Sequence, residues 1–382
     1  MRIAITTWHD GPNSGTFFQL YGLYQYLKGL GHEVKVVDYI HQPEDHISRG
    51  VMYYAAQFLP LVRNKWKRRI AHKKERVLQL PYKQLILERD RRCSEYWRLL
   101  EYTSPIRTQE DFERLNDQFD AFVVGSDQVW NATMLNRRYF LDYVHPDKLK
   151  VAYGPSVGVG SVLPYQRKMY KKYVSSFNHV AVREKLLCDI LNEELPGLHA
   201  QHLLDPSMLF RREDYLKMAR LPLGLSSEEY VLCYFAPNNE HQEAVVREYA
   251  EQKGLKVVVM AMFGYSWKMK ADLTVCADPS EFLGLISNAA AVFTSSFHCT
   301  IFSILFHRNL FVFENKKASK TADINQRYTE QLRTYGMQHR YIRTGGTLTA
   351  DILQDIDYNS VEQIFQQRLA ESRSYLNNIF QR

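Results

Sequence analysis

Strand-like and helix-like segments alternate along this chain in two separate series. Residues 2–7, RIAITT, form a short apolar run, and 9–15 carry Gly11, Pro12, Asn13 and Gly15. Residues 16–30 have a helical period closed by Gly29 and Gly31, and 33–38 alternate and are β-branched. That order predicts a β-α-β unit with a glycine-bearing turn at its crossover. Further strands are predicted at 119–124, 149–153 and 179–182, with helices at 165–175 and 184–192. A second series follows LPLGLSSEE, residues 221–229, which reads as a linker. It has predicted strands at 230–236, 255–260, 290–293 and 309–313, a helix at 299–306, and a last helix at 360–376. Such alternation requires parallel sheets, because parallel neighbours need a crossover and the helix supplies it. The expected fold class is α/β, with domains at 1–220 and 230–350 and a helical tail at 351–382. Two such sheets facing each other leave a cleft at the carboxyl ends of their strands, where ligands of open α/β folds bind.

Residues 43–118 break the rhythm. They are rich in Arg and Lys, poor in glycine and helical in period, and read as a helical insertion in the first domain. Residues 63–76, RNKWKRRIAHKKER, hold eight Lys/Arg against one Glu. The chain as a whole is also +7, so the rest is neutral and the charge is a local feature, not a nucleic-acid signature. Just before it lies MYYAAQFLPLV, residues 52–62, apolar and aromatic. An apolar patch followed by a basic helix predicts a peripheral contact between 52–76 and an anionic membrane surface. A solvated helical face, or a basic rim that attracts an anionic substrate, explains the same residues.

Five cysteines, Cys93, Cys188, Cys233, Cys276 and Cys299, are dispersed without a C-x-x-C pair, which argues against a disulfide framework and against zinc. The chain opens directly on a strand with no secretory signal pattern, and no run reaches the ~18 apolar residues of a spanning helix. A cytoplasmic location is expected, with no nucleic-acid partner.

Four polar interruptions fall at strand ends. In AVFTSSFHCTIF, 291–302, His298 follows a strand and begins a helix that Ser295 or Ser296 can cap. A histidine beside a helix N-terminus suits a general acid or a phosphate ligand, and a buried imidazole bonded to a backbone carbonyl fits equally. GSDQVWN, 125–131, places Asp127, Gln128 and Asn131 beside Trp130. It reads as a sugar-binding loop with an aromatic platform, or as an Asp-capped turn with Trp130 in the core. NSGTFFQ, 13–19, offers Asn13, Thr16 and free N–H groups to an anion or a hydroxyl, but it is neither G-x-G-x-x-G nor a phosphate loop. Arg183 in VAVREK can grip a carboxylate or phosphate, or pair with Glu184. Asp355-Ile356-Asp357 reads as a cap of the last helix.

Together the segments N-S-G-T-F-F-Q (13–19), D-A-F-V-V-G-S-D-Q-V-W-N (120–131), V-A-V-R-E (180–184), D-P-S-M-L (205–209) and I-S-N-A-A-A-V-F-T-S-S-F-H (286–298) resemble the polysaccharide pyruvyl transferase family. K-K-A-S-K (316–320) and N-Q-R (325–327) also fit. The resemblance implies two Rossmann-like domains facing a central cleft, as in GT-B glycosyltransferases. It implies transfer of the pyruvyl group of phosphoenolpyruvate to saccharide hydroxyls as a ketal, with no cofactor and no metal. It makes His298 the acid catalyst and Arg183 a donor anchor, beside Ser295 and Ser296. Some members carry arginine where this chain has Ser296, so Lys317, Lys320 or Arg327 must supply the second donor cation. Asn13, Thr16, Asp127, Gln128, Trp130 and Asn131 are the candidate acceptor contacts, the acceptor being a saccharide that is free or lipid-linked. A nucleotide-sugar glycosyltransferase of the same architecture and a non-catalytic saccharide-binding protein are the competing readings.

Overall fold

The computed structural model describes residues 1–47, 69–71, 73–235, 240–315 and 324–381. Most of the proposed membrane segment 52–76, together with Lys317 and Lys320, lies outside the described residues.

The first sheet comprises β1 (Arg2–Thr6), β2 (Glu33–Val36), β3 (Ala121–Val124), β4 (Leu149–Tyr153), β5 (His179–Val182) and β6 (Gln201–His202). Its order is β2-β1-β3-β4-β5-β6, and its ladders are parallel. The second sheet comprises β7 (Tyr230–Tyr234), β8 (Lys256–Met260), β9 (Leu273–Val275), β10 (Ala291–Thr294), β11 (Asn309–Phe313) and β12 (Tyr341–Ile342). Its order is β12-β11-β10-β7-β8-β9, again parallel. Counted within the half, that is the doubly wound order 3-2-1-4-5-6. The central strands β3, AFVV, and β10, AVFT, are buried at every residue. Both faces are covered by helices, so these strands read as continuous apolar runs and not as alternation.

Each sheet has one point where strand order reverses. In the first it lies between β1 and β3, in register Ile3↔Ala121 through Thr6↔Val124. In the second it lies between β10 and β7, in register Ala291↔Val231 through Thr294↔Tyr234. The two-residue strands β6 and β12, and β9, were missed in the sequence because so few residues carry no readable period.

Helix α1 runs Ser14–Gly29, two residues earlier than its periodicity predicts. Asn13 caps it, its side chain accepting from the N–H groups of Gly15 and Thr16. The N-S-G-T-F-F-Q stretch is therefore mostly the first turns of a helix, not a loop.

The insertion is helical at Lys83–Trp97 and Gln109–Gln118, but residues 99–108 are not; they lie along the β2 edge through bridges Val36↔Tyr102 and Tyr39↔Ile106. The insertion also reaches the second half. Arg92 meets Glu281 at 3.1 Å and donates to the Cys276 carbonyl at 2.9 Å, and Tyr82 stacks on Trp267 at 3.9 Å. The C-terminal helix, Tyr358–Phe380, is not a free tail: it folds back onto the first half. Asn377 accepts from the Tyr26 hydroxyl at 2.8 Å, Ser372 from the Leu204 N–H at 3.2 Å, and Arg373 donates to the Leu209 carbonyl at 3.0 Å. One apolar cluster accordingly runs from Ile3 and Phe18 through Phe282 and Phe302 to Leu376, so the halves share a core. Among the described residues, no helix is long and apolar enough to cross a membrane.

Candidate active site

The two reversal points converge on one cluster. His298 is the second residue of the helix Phe297–Leu305 at the carboxyl end of β10. Ser296 is that helix's cap, its hydroxyl accepting from the Cys299 N–H at 3.4 Å. Opposite stands the first turn of α1. A Cβ on Gly15 would lie 2.3 Å from Nδ1 of His298, so only glycine lets the imidazole come this close.

Around the ring are groups from the carboxyl ends of β3, β5 and β6 in the first sheet. Asp127 follows β3 in a left-handed conformation, φ 63°, and accepts from the Thr16 hydroxyl at 2.9 Å. Arg183 follows β5 and Asp205 follows β6; the guanidinium donates to Asp205 at 2.7 Å and reaches Asp127 at 3.6 Å and Glu184 at 3.8 Å. Nε2 of His298 is 3.8 Å from Asp205 and has no hydrogen-bond partner among the described residues. Ser207 pins the other oxygen of Asp205, by its hydroxyl at 2.7 Å and its N–H at 3.0 Å. Glu184 is held by Ser156 and by the Val157 N–H.

The electrostatics follow from burial. Burial pushes His298 below the ordinary imidazole value; Asp205 and Asp127 oppose the shift, and Arg183 and Arg327 add to it. The free protein therefore holds His298 neutral near pH 7. Burial raises Glu184 against the pull of Arg183. For Asp205 burial acts upward too, but Arg183 and then His298 outweigh it and hold the carboxyl below its usual range.

Arg183 was expected as an open cation for the donor. Its side chain is 1 % exposed and faces three carboxylates, so its charge is already balanced inside the protein. One face packs on the Phe297 ring at 4.5 Å. Arg327 approaches the same ring at 5.6 Å from the second half, and its Nε has no hydrogen-bond partner among the described residues.

Trp130 was expected as a sugar platform; it is fully buried, donates to the Tyr139 carbonyl at 2.7 Å and stacks on Phe140 at 5.2 Å. The reading of the turn with Trp130 in the core is the correct one. Of the other acceptor candidates, Asn13 is an exposed helix cap and Thr16 a buried partner of Asp127. Asn131 donates to Gln128 at 2.8 Å, and both sit over Gly158, where a Cβ would strike them. Ser295 is buried, and its carbonyl accepts from Asn315 at 2.9 Å. Asp357 caps the last helix through the Asn359 and Ser360 N–H groups, as expected. Sequence reasoning did not single out Asp205, Gly15 or Glu184 as site residues. Each stood inside a quoted segment, but an aspartate before a proline reads first as a turn.

Comparison with known proteins gives two independent results. The family model described as polysaccharide pyruvyl transferase matches residues 13–317. No curated protein sequence matches the chain. Among solved structures, UDP-GlcNAc 2-epimerase from Neisseria meningitidis bound to UDP-GlcNAc is similar at TM-score 0.50 and 9% identity, over 98% of this chain and 93% of that one. A putative UDP-N-acetylglucosamine 2-epimerase from Listeria monocytogenes is similar at TM-score 0.50 and 9% identity, over 98% and 90%. At that identity the likeness concerns the fold, two Rossmann-like domains facing each other in the GT-B manner. With the family match spanning both halves and every strand end that builds the cluster, the chain belongs to the polysaccharide pyruvyl transferase family.

Proposed function

We propose that the protein moves the pyruvyl group of phosphoenolpyruvate onto two hydroxyls of a saccharide, forming a ketal and releasing phosphate. The observation that carries the proposal is Nε2 of His298, without a hydrogen-bond partner among the described residues, held between the two reversal points and 3.8 Å from Asp205. Transfer begins when a proton reaches the methylene carbon of the donor, which leaves the neighbouring carbon electrophilic. One sugar hydroxyl adds there, the bond to the phosphate oxygen breaks, and a second hydroxyl closes the ketal. Of the two hydroxyl protons released, one balances the proton delivered to the methyl group and the other leaves with phosphate.

His298 supplies the first proton, so it must be imidazolium in the complex. Burial disfavours that form in the free protein, and the charge of a bound phosphate reverses the balance. The donor anion is received by Arg327 and the first turn of the helix Phe297–Leu305, with Lys317 and Lys320 as further candidates. Arg183 acts at one remove: it holds Asp205 and Asp127 in position around the ring.

The test is turnover of phosphoenolpyruvate with a panel of glycan acceptors, reading phosphate release and acceptor mass. A mass gain equal to a pyruvate ketal is expected. Release of a nucleoside diphosphate from a nucleotide sugar, with no product from phosphoenolpyruvate, would replace this reading with a glycosyltransferase. We further propose that the basic run 63–76 holds the enzyme reversibly at an anionic leaflet near lipid-linked acceptors, each cation contributing ~1 kcal/mol at most. Of that run, Lys73 and Lys74 are exposed. Flotation with anionic vesicles should fall when Lys67, Arg68, Arg69, Lys73 and Lys74 become Gln; equal recovery would reduce the run to a solvated face.

A further inference from the structure

A second cavity, of about 480 Å³, opens at the carboxyl ends of β1 and β2, on the same edge of the first sheet as the cluster. His9, Asp10, Asp38, Ile40, Trp97 and Tyr102 are among its lining residues. Its apolar wall includes Tyr102, half-buried and met edge-on by the His9 ring at 5.6 Å, and Ile40, which is 69% exposed among the described residues.

The polar wall carries two carboxylates, Asp10 and Asp38, against one cation, Arg98, with His9 beside Asp38. The His9 side chain is 7% exposed, and its Nε2 is buried without a hydrogen-bond partner among the described residues, 4.0 Å from Asp38. Burial keeps this imidazole below its ordinary value, with Asp38 opposing, and its ring also faces the backbone carbonyls of Tyr39 and Val37. Nε2 and the Asp38 carboxylate stand side by side, beyond hydrogen-bond reach of each other. Asp10 accepts from the Gly11 N–H at 2.6 Å, within its own turn. A phosphate or a nucleotide would meet two carboxylates against one cation here, whereas sugar hydroxyls can donate to Asp38 and accept from Arg98.

The cavity is also tied to the catalytic segment. The Trp97 indole donates to the Gly11 carbonyl at 2.8 Å, and Cys93 approaches the Pro12 carbonyl. Four residues further on, Gly15 lies against His298. Four residues of chain span ~14 Å at most, so one extended ligand can touch both places.

We propose that this cavity is a saccharide subsite. It holds a sugar ring of the acceptor beyond the ring that is modified, with Asp38 accepting hydroxyl protons, Arg98 donating to hydroxyl oxygens, and Tyr102 and Ile40 covering the ring's apolar face. The word acceptor rests on the pyruvyl-transfer reading; the saccharide chemistry of the cavity does not.

The experiment uses the full chain with Asp38→Asn and Ile40→Ala, the second being an exposed position whose truncation leaves the core intact. Binding of wild type and both variants to an array of neutral oligosaccharides is measured without donor. Wild type is expected to bind, with each variant weakened about tenfold or more at unchanged melting temperature. In turnover with an acceptor series shortened one sugar at a time, the variants should raise acceptor KM, leave donor KM and kcat unchanged, and lose the advantage of the longer acceptor. Glycan binding that depends on Asp38, found alongside failure to use phosphoenolpyruvate, would keep the subsite and remove the pyruvyl reading. Wild type that binds no glycan, or binding and acceptor KM indifferent to both substitutions, would overturn the subsite.

Discussion

The two halves of this molecule have the same kind of sheet and contribute unlike things to the site. The first half brings an ionic framework: Thr16, Asp127, Arg183, Glu184 and Asp205, all buried and bonded to one another or to the backbone. The second half brings one partly exposed imidazole on an apolar base, His298 beside Phe297, with Arg327 behind it. Equal folds therefore do not divide the work equally. In the first half three carboxylates share one guanidinium, of which Nε and Nη2 make no hydrogen bond among the described residues, and in the second an imidazole nitrogen faces this framework across the seam. Buried charges cost heavily unless paired, so a framework of three carboxylates around Arg183 is a positioning device before it is anything else.

The comparison is sharpest at His298→Ala. We expect a loss of ~10²–10⁴-fold in turnover with the melting temperature unchanged, because the side chain is a proton donor and not a packing element. Near-normal turnover in the folded variant would break the division at its strong end. Arg183→Ala should behave in the opposite way. It leaves Asp205, Asp127 and Glu184 without their shared cation and should cost ~3–5 kcal/mol of stability, read by chemical denaturation. A stable Arg183→Ala protein with weakened donor affinity would return Arg183 to the donor side.

Gly15→Ala probes the seam between the halves. Alanine suits a helix better than glycine, so the fold should survive, but the new methyl displaces the imidazole. A shift near 1 Å can cost ~10²-fold in rate, and kinetics with an unchanged melting curve is the check. The smallest effect is a displacement of pH profiles. His298 must be protonated to act, so activity is lost as pH rises through its pKa. In kcat/KM for the donor, which reports the free protein, that limb should lie below the ordinary imidazole value because burial depresses it. In kcat, which reports the complex, donor phosphate should move it to higher pH. Coincident limbs would mean that the donor does not sit against His298.

The strand–helix alternation, the two series, the insertion and the strand-end position of His298 are all readable from local pattern. Period and chain punctuation are properties of neighbouring residues, and so is membership of the family, which rests on ordered short segments. The partners of those residues are not local. Thr16 meets Asp127 across 111 positions, and Gly15 meets His298 across the two halves. Trp130 shows the limit most plainly: the same tryptophan beside the same polar turn suits a sugar platform or a core, and only the Tyr139 carbonyl and the Phe140 ring decide for the core. Arg183 is the same case in charge. A strand-end arginine is open or spent according to how many carboxylates the sheet brings to it, and that number is set by which strands become neighbours. Sequence alone determined where the chemistry-bearing side chains emerge; tertiary packing decided which of them neutralise one another, because desolvation and charge pairing depend on distances between strand ends that no local pattern contains.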